Sequence, residues 1–329
     1  MKTISFVIPV YNRPDEIVEL LASIERQGTT DFDIIVVEDG SSQPCKEAIQ
    51  PFAERMPISY LYKENSGPGQ SRNYGAARAT GDYIIVLDSD ALLPDGYIDA
   101  VRRHLESDGI DAFGGPDKAA PTFTVTQKAI NYSMTSFLTT GGIRGGKKRI
   151  DKFYPRSFNM GVRRTVWNQL GGFADMRYGE DIDFSTRLYA AGCKVALLED
   201  AWVWHKRRNT IPSFFRQVRN FGRARICLTQ KYPDTLKLVH LFPALFTVGS
   251  ALLLLLAPFT RAWSLLPLAL LLVVIFFDSL RLNRDVRVAA LSMVTTVVQQ
   301  CGYGSGFLAE ACKALRQRKS TFTPTPPLS

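Results

Sequence analysis

One pair of acids and one histidine stand where they could hold a divalent cation. Asp88-Ser89-Asp90 directly follows the apolar run Ile84–Leu87, and His205 follows a second apolar run. Two carboxylates one residue apart at a strand end can meet one hard cation such as Mg²⁺ or Mn²⁺. Imidazole is a common further ligand. The structural alternatives are that the acids form an Asp-rich turn before a helix and that the histidine has only a structural role.

A third acid and a glycine-rich segment are candidates for binding the parts of a nucleotide. Asp39 follows the run Ile34–Val37 and could accept a hydrogen bond from a nucleobase or ribose, or could only form an Asp-Gly turn. The segment around Gly67 opens a predicted helix that carries Arg72. Backbone N–H groups at a helix start, together with a guanidinium, suit an anion.

Glu180 and Asp181 open another predicted helix after Gly179. Acids in a first turn favour the helix dipole, so capping is one interpretation. The other is a general base, because attack by a sugar hydroxyl requires removal of its proton as the bond forms.

The elements that must position these residues follow from the alternation of apolar runs and helical patterns. This alternation predicts an α/β fold, a mostly parallel sheet with helices on both faces. Right-handed crossovers bring the carboxyl ends of the strands to one edge, where the polar clusters then meet. Predicted strands are 4–10, 32–37, 58–62, 83–87, 158–162, 194–198 and 202–204, and predicted helices begin at Pro14 and cover 46–55, 71–79, 95–105, 164–170 and 181–191.

Residues 115–155 are predicted to be rich in loops. Within them, Gly141–Lys148 matches the glycine spacing of a phosphate-binding loop, but Lys148 stands where Ser or Thr must hold magnesium and no apolar strand precedes it. We interpret 141–149 as a flexible basic loop that contacts an acceptor or a lipid headgroup.

Three stretches without Asp, Glu, Lys or Arg end the chain: 238–260, 262–277 and 288–309. The first two predict membrane spans at about 238–258 and 262–280, since a span needs about 20 apolar residues. The third, with Gln299 and Gln300, fits a re-entrant or interfacial helix better than a crossing. A buried hairpin is the alternative for all three. We therefore predict a cytoplasmic domain at 1–230 and a membrane region at 231–329.

The net charge of +9 is concentrated before the first span. Residues 205–237 hold nine Lys and Arg against the single Asp234, while only Arg261 lies between the first two stretches. Basic residues crowd the cytoplasmic side of spans and attract anionic headgroups. This predicts a multi-pass protein of the bacterial inner membrane with its large domain in the cytoplasm. The basic segment lacks a nucleic-acid-binding motif, and the five scattered Cys without CxxC favour a reducing compartment.

Several segments in this order resemble a family 2 glycosyltransferase of the GT-A fold, in its membrane-anchored bacterial form. They span about residues 3–230 and include Ser5–Asn12, Val37–Ser41, Gly67–Gly75, Gly81–Asp90, Phe158–Gly161 and Gly179–Asp183. The family commonly has two Asp before Gly-Ser, whereas the first acid here is Glu38. The signature of processive synthases, QxxRW, is not matched, so a polymerising enzyme is not indicated.

The resemblance implies a role for each candidate residue. Asp39 and Arg72 would hold the nucleobase end of the donor, with Pro9 and Tyr11 lining the pocket. Asp88, with Ser89, would lie near the ribose and phosphate. Asp90, with Asp88 and His205, would bind Mn²⁺ or Mg²⁺, and Asp181, beside Glu180, would be the base.

The predicted function is inverting transfer of a sugar from a nucleotide-sugar to a hydroxyl acceptor, favoured to be a lipid-linked saccharide for a cell-envelope glycan. A polyprenyl phosphate acceptor remains open, although an ionised phosphate needs no base. A sugar nucleotidyltransferase is disfavoured because Val10–Arg13 lacks glycine after the first strand. A membrane scaffold that only binds nucleotide-sugars is the non-enzymatic alternative.

Overall fold

The computed structural model describes residues 2–107, 109–120, 122–140, 153–176 and 178–320, with side chains as far as 317. The chain forms two compact units, Met1–Pro121 with Asp151–Lys206, and Thr122–Ile150 with Arg207–Ser329. This division differs from the predicted boundary at residue 230, because the described residues 122–140 and the helix that ends at Lys231 cluster with the second unit. The basic loop proposed at 141–149 lies outside the described residues.

The first unit is built on a seven-stranded sheet with the order β3-β2-β1-β4-β8-β6-β9. Strands β1 to β4 are mutually parallel, and β8 runs antiparallel to both of its neighbours. A second sheet has the order β5-β10-β7. The strands are β1 Ile4–Val10, β2 Phe32–Asp39, β3 Ile58–Lys63, β4 Tyr83–Leu87, β5 Ala91–Leu92, β6 Ala112–Gly114, β7 Asp117–Lys118, β8 Asn159–Arg163, β9 Val195–Leu197 and β10 Val203–His205.

Helices cover both faces of the large sheet, which explains why β1 and β4 are almost wholly apolar and why β2 has the apolar run Ile34–Val37 at its centre. One core cluster joins Phe6 and Leu20, and the other joins Val7 and Phe184 on the opposite face. The helices of this unit are α1 Pro14–Glu25, α2 Lys46–Ala53, α3 Pro68–Ala76, α4 Tyr97–Ser107, α7 Arg164–Leu170 and α8 Glu180–Ala190.

In the second unit, the described residues form helices connected by turns. Its helices are α5 Val125–Thr135, α6 Phe137–Thr140, α9 Ile211–Lys231, α10 Phe242–Leu256, α11 Leu266–Asn283 and α12 Val286–Ser320. The expectation of loops at 115–155 is therefore wrong for 125–140. Thr124 caps α5, since its hydroxyl accepts a hydrogen bond from the Gln127 amide and the Gln127 side chain accepts one from Thr124.

Two apolar helices are long enough to cross a membrane, Leu238–Leu256 and Trp263–Asn283, and only 11% of each window is buried. Both coincide with the predicted spans. The third stretch lies within α12, which continues unbroken for 35 residues. The re-entrant or interfacial position of this stretch in a membrane stays a prediction.

Helix α12 approaches its neighbours through glycines. A Cβ atom at Gly306 would lie 2.0 Å from the carbonyl oxygen of Arg219 on α9, and one at Gly222 would lie 2.1 Å from that of Tyr303. On another side of α12, a Cβ at Gly304 would lie 2.1 Å from the Thr247 hydroxyl on α10. Gly222, Gly304 and Gly306 thus form a packing seam, which we call the glycine seam, because only residues without a side chain allow backbones this close.

Candidate active site

The three predicted cation ligands meet beside the carboxyl end of β4. Asp88 and Asp90 follow that strand, and β10 pairs with β5 so that His205 lies opposite Ala91. One ligand atom from each of the two acids and His205 lies within 4.8 Å of the others. His205 Nε2 is 3.1 Å from Asp90 Oδ1 and 3.9 Å from Asp88 Oδ2.

This donor set fits Mn²⁺ or Mg²⁺. Adjacent ligands of an octahedral ion with bonds of about 2.1 Å lie roughly 3 Å apart. His205 and Asp90 are that close because they share a hydrogen bond, whereas Asp88 lies 3.9 Å from His205. Phe158 stacks on the His205 ring with centroids 4.8 Å apart, which restricts its orientation. Two carboxylates and an imidazole give one cation a mixed oxygen and nitrogen site.

Arg13, which the sequence prediction missed, binds the same acid. Its Nη1 lies 2.6 Å from Asp90 Oδ2 and 2.7 Å from Glu16 Oε2. Burial alone would raise the pKa of Asp90, but His205 and then Arg13 hold that pKa well below its usual range. A basic residue three positions after the end of β1, at the edge where the acids gather, was the available signal.

Asp39 ends β2 and is only 3% exposed. Lys63 Nζ donates to its Oδ1 at 2.6 Å, and the amides of Ser66 and Gly67 donate to its two oxygens at 3.0 Å. Burial opposes ionisation, yet these hydrogen bonds lower the pKa of Asp39 overall. The anion held by the amides just before α3 is therefore the chain's own Asp39.

The preceding acid, Glu38, has a structural position. It is fully buried and accepts hydrogen bonds from the Ser41 hydroxyl and from the Cys45 amide, the latter at 2.7 Å. Ser41 in turn accepts a hydrogen bond from the Asn12 amide at 2.7 Å. Glu38 thus ties the loop after β2 to the loop after β1, which shapes this edge of the sheet.

Arg72 links Asp88 to Glu180. It is 3% exposed, and its two terminal nitrogens lie 2.6 Å from Asp88 Oδ1 and 3.1 Å from Glu180 Oε1. Helix α3 can place it there because Gly75 presses on the sheet: a Cβ at Gly75 would lie 2.6 Å from Val7. Arg72 is thus committed to two acids.

The first turn of α8 presents Glu180 and Asp181 to the same edge. Burial, followed by the charge of Asp181, raises the pKa of Glu180. Asp181 is 8% exposed, and its Oδ1 accepts a hydrogen bond from the Ile182 amide at 2.8 Å. Its Oδ2 lies 2.9 Å from Nε of Arg156, a partner that the sequence prediction also missed.

The remaining predicted site residues, Pro9, Tyr11 and Ser89, lie at the carboxyl ends of β1 and β4, and their side chains differ in solvent exposure. Pro9 is half-buried in β1 opposite Val37, and Tyr11, just beyond β1, is 51% exposed. Ser89 is buried between the two acids of its motif. An exposed aromatic ring at this edge is available to a planar ligand.

The chain resembles known proteins in sequence. The family model described as Glycosyl transferase family 2 matches residues 5–171. Glycosyltransferase GlyG of Streptococcus pneumoniae is 31% identical over 216 residues, covering 63% of this chain and 71% of that protein. An uncharacterized glycosyltransferase of Rickettsia bellii is 34% identical over 103 residues, but these make up 31% of this chain and only 15% of that protein.

Solved structures share the fold. The structure of a mannosyltransferase from Pyrobaculum calidifontis in complex with GDP-Man and Mn²⁺ aligns with a TM-score of 0.59 at 16% identity, covering 94% of this chain and 87% of that chain. The mostly parallel sheet with helices on both faces, and the GT-A fold expected for it, are confirmed.

Proposed function

The chain belongs to glycosyl transferase family 2, and from this membership we propose that it transfers a sugar from a nucleotide-sugar to a hydroxyl group. The observation that carries the proposal is the convergence of Asp88, Asp90 and His205 within 4.8 Å, beside Arg72 and Glu180. A mannosyltransferase of the same fold was solved with GDP-Man and Mn²⁺, which supports this class of donor and cation.

We assign the donor to the edge of the sheet. Asp39 and the exposed ring of Tyr11 would receive the nucleobase and ribose, with Pro9 beside them and Arg72 nearby. Asp88, Asp90 and His205 would hold Mn²⁺ or Mg²⁺, with Ser89 between the acids. When bound, the cation supplies positive charge that neutralises the departing nucleoside diphosphate.

We assign the role of base to Asp181, with Glu180 beside it. Its carboxylate would accept the proton of the acceptor hydroxyl while that oxygen attacks the anomeric carbon opposite the leaving diphosphate. One such displacement inverts the anomeric configuration. Arg156 and the Ile182 amide each bind one Asp181 oxygen, which fixes the carboxylate in one orientation.

The acceptor that fits best is a saccharide carried by a membrane lipid. A base at Asp181 suits a neutral hydroxyl, whereas a bare polyprenyl phosphate is already ionised. The two apolar helices, Leu238–Leu256 and Trp263–Asn283, support attachment to the membrane, and the basic residues that flank them favour the inner face of the bacterial inner membrane. Attachment raises the effective concentration of an acceptor confined to that surface.

The test uses the purified full chain with a panel of nucleotide-sugars, Mn²⁺ and lipid-linked saccharides, with mass analysis of the lipid product. Asp181→Asn is expected to keep nucleotide binding and to lose about 10²- to 10⁴-fold in transfer, the usual range for a general base. The matched control is Asp99→Asn, which changes an exposed acid of α4. Normal transfer by Asp181→Asn would place the base elsewhere, and no transfer by the wild type with any pair would refute the reaction.

A further inference from the structure

Helix α9 carries a row of arginines outside the candidate active site. Arg216, Arg219 and Arg223 lie three and four residues apart, so they share one face of the helix. Helix α9 contains five Lys and Arg and no acid. We call these three residues the α9 arginine row.

Two members of the row have buried nitrogens that lack a hydrogen-bond acceptor among the described residues. The Nε atoms of Arg219 and Arg223 are inaccessible to solvent and have no hydrogen-bond acceptor among the described residues. Neither guanidinium forms an ion pair with a described acid, although both side chains remain partly exposed. A buried donor without an acceptor is unfavourable, and for a charged group the penalty is larger. A guanidinium without an acidic partner also keeps its charge uncompensated, and an anion from outside the chain that contacts the exposed part of these side chains would compensate that charge.

Packing fixes the position of the row. The glycine seam presses α12 onto the backbone of α9 at Arg219, where Gly306 approaches, and at Gly222. Because these backbones touch, the arginine stems start from a rigid crossing rather than from a mobile surface. A preformed row loses little freedom when it binds a ligand.

We propose that the α9 arginine row binds the phosphate group of an anionic membrane lipid. Guanidinium groups recognise phosphate through paired, charge-assisted hydrogen bonds. We assign the phosphate to a lipid rather than to a soluble anion because the same compact unit carries both largely exposed apolar helices, Leu238–Leu256 and Trp263–Asn283. The inference rests on the membrane attachment proposed above and is independent of sugar transfer.

The test measures lipid binding by the full chain in a neutral detergent, using native mass spectrometry and short-chain phosphatidylglycerol. Arg219→Gln/Arg223→Gln is expected to bind the lipid at least about tenfold more weakly than the wild type. The matched control is Arg284→Gln/Arg287→Gln, which removes the same charge from exposed side chains and should change binding less than about twofold. Arg219→Lys/Arg223→Lys keeps the charge and should bind at an intermediate strength, which guards against misfolding of the Gln variant.

Four results would overturn the inference. Equal weakening in both Gln variants would mean general attraction by charge, and no weakening in either would mean that the row has no lipid. Equal stabilisation of the wild type by inorganic phosphate and by phosphatidylglycerol at the same concentration would identify a soluble anion instead. Failure of the protein to remain in the membrane fraction would refute attachment but would leave the transfer reaction to its own test.

Discussion

At the residue scale, the acids of the candidate site are held by basic partners. Arg13 binds Asp90, Lys63 binds Asp39, and Arg156 binds Asp181. Each pair is partly or largely buried, so removal of one charge leaves the other in a medium where it is poorly solvated. Single substitutions here are therefore expected to affect binding and stability together, and the two must be measured separately.

The cation site gives the first residue-scale prediction. Asp90→Asn should weaken Mn²⁺ binding at least about tenfold, because a neutral amide replaces the most buried carboxylate of the set. Electron paramagnetic resonance of free Mn²⁺ measures this without any substrate. Glu16→Gln removes the other acid that binds Arg13 and should leave Mn²⁺ affinity nearly unchanged. Undiminished Mn²⁺ binding by Asp90→Asn would exclude it as a ligand.

The environment of Asp39 predicts a dependence of stability on pH. Its pKa is lowered in the folded protein, so its ionised form stabilises the fold above about pH 4 and that contribution is lost as the pH falls through the lowered pKa. Asp39→Asn should destabilise the protein at pH 7 by about 1–3 kcal/mol and progressively less below pH 4. Thermal unfolding in detergent measures the loss of stability at pH 7 and below pH 4, with Asp31→Asn, a change at an exposed acid, as the control. A stability difference between Asp39→Asn and the wild type that does not vary with pH would mean that Asp39 is not ionised in the folded protein.

At the element scale, glycines decide how the helices of the second unit pack. Gly222, Gly302 and Gly306 lie where α9 and α12 cross, and an added Cβ would overlap the opposing helix. By contrast, Gly249 on α10 has open space around it. The sequence therefore contains the same residue type in two structural roles, which only the packing distinguishes.

This contrast gives an element-scale prediction. Gly222→Ala should lower the free energy of unfolding by about 1–3 kcal/mol, because the methyl group forces the two backbones apart. Gly249→Ala makes the same change in another helix and should be neutral or stabilising by up to about 1 kcal/mol. Thermal unfolding of the two variants in the same detergent compares them directly. Equal stability would mean that α9 and α12 can separate without penalty.

At the scale of the whole molecule, the apolar helices and flanking charges predict an orientation. Arg261 lies between the two candidate spans, while Arg281, Arg284 and Arg287 lie at or beyond the end of the second. Alkaline phosphatase fused after residue 261 should be active in a bacterial host, because that enzyme needs the oxidising periplasm. Fusion after residue 284 should be inactive. The opposite pattern would reverse the proposed topology.

Local patterns in the sequence were enough to predict most elements of the first unit. Strands β1 and β4 were predicted to the residue, since continuous apolar runs bounded by polar residues indicate buried parallel strands. Asp88 and Asp90 were predicted to lie at the carboxyl end of β4, and they do. The capping signal Thr124-x-x-Gln127 was also present and would have corrected the loop expected there.

Contacts between distant residues could be decided only by the tertiary structure. No local signal pairs Arg13 with Asp90, 77 positions later, or Arg72 with Glu180, 108 positions later. The same holds for the glycines of α12, because no local signal in the stretch 288–309 predicts that they lie against α9. Periodicity determines which face of an element is buried, whereas charge pairing and close helix approach depend on which elements the completed fold brings together.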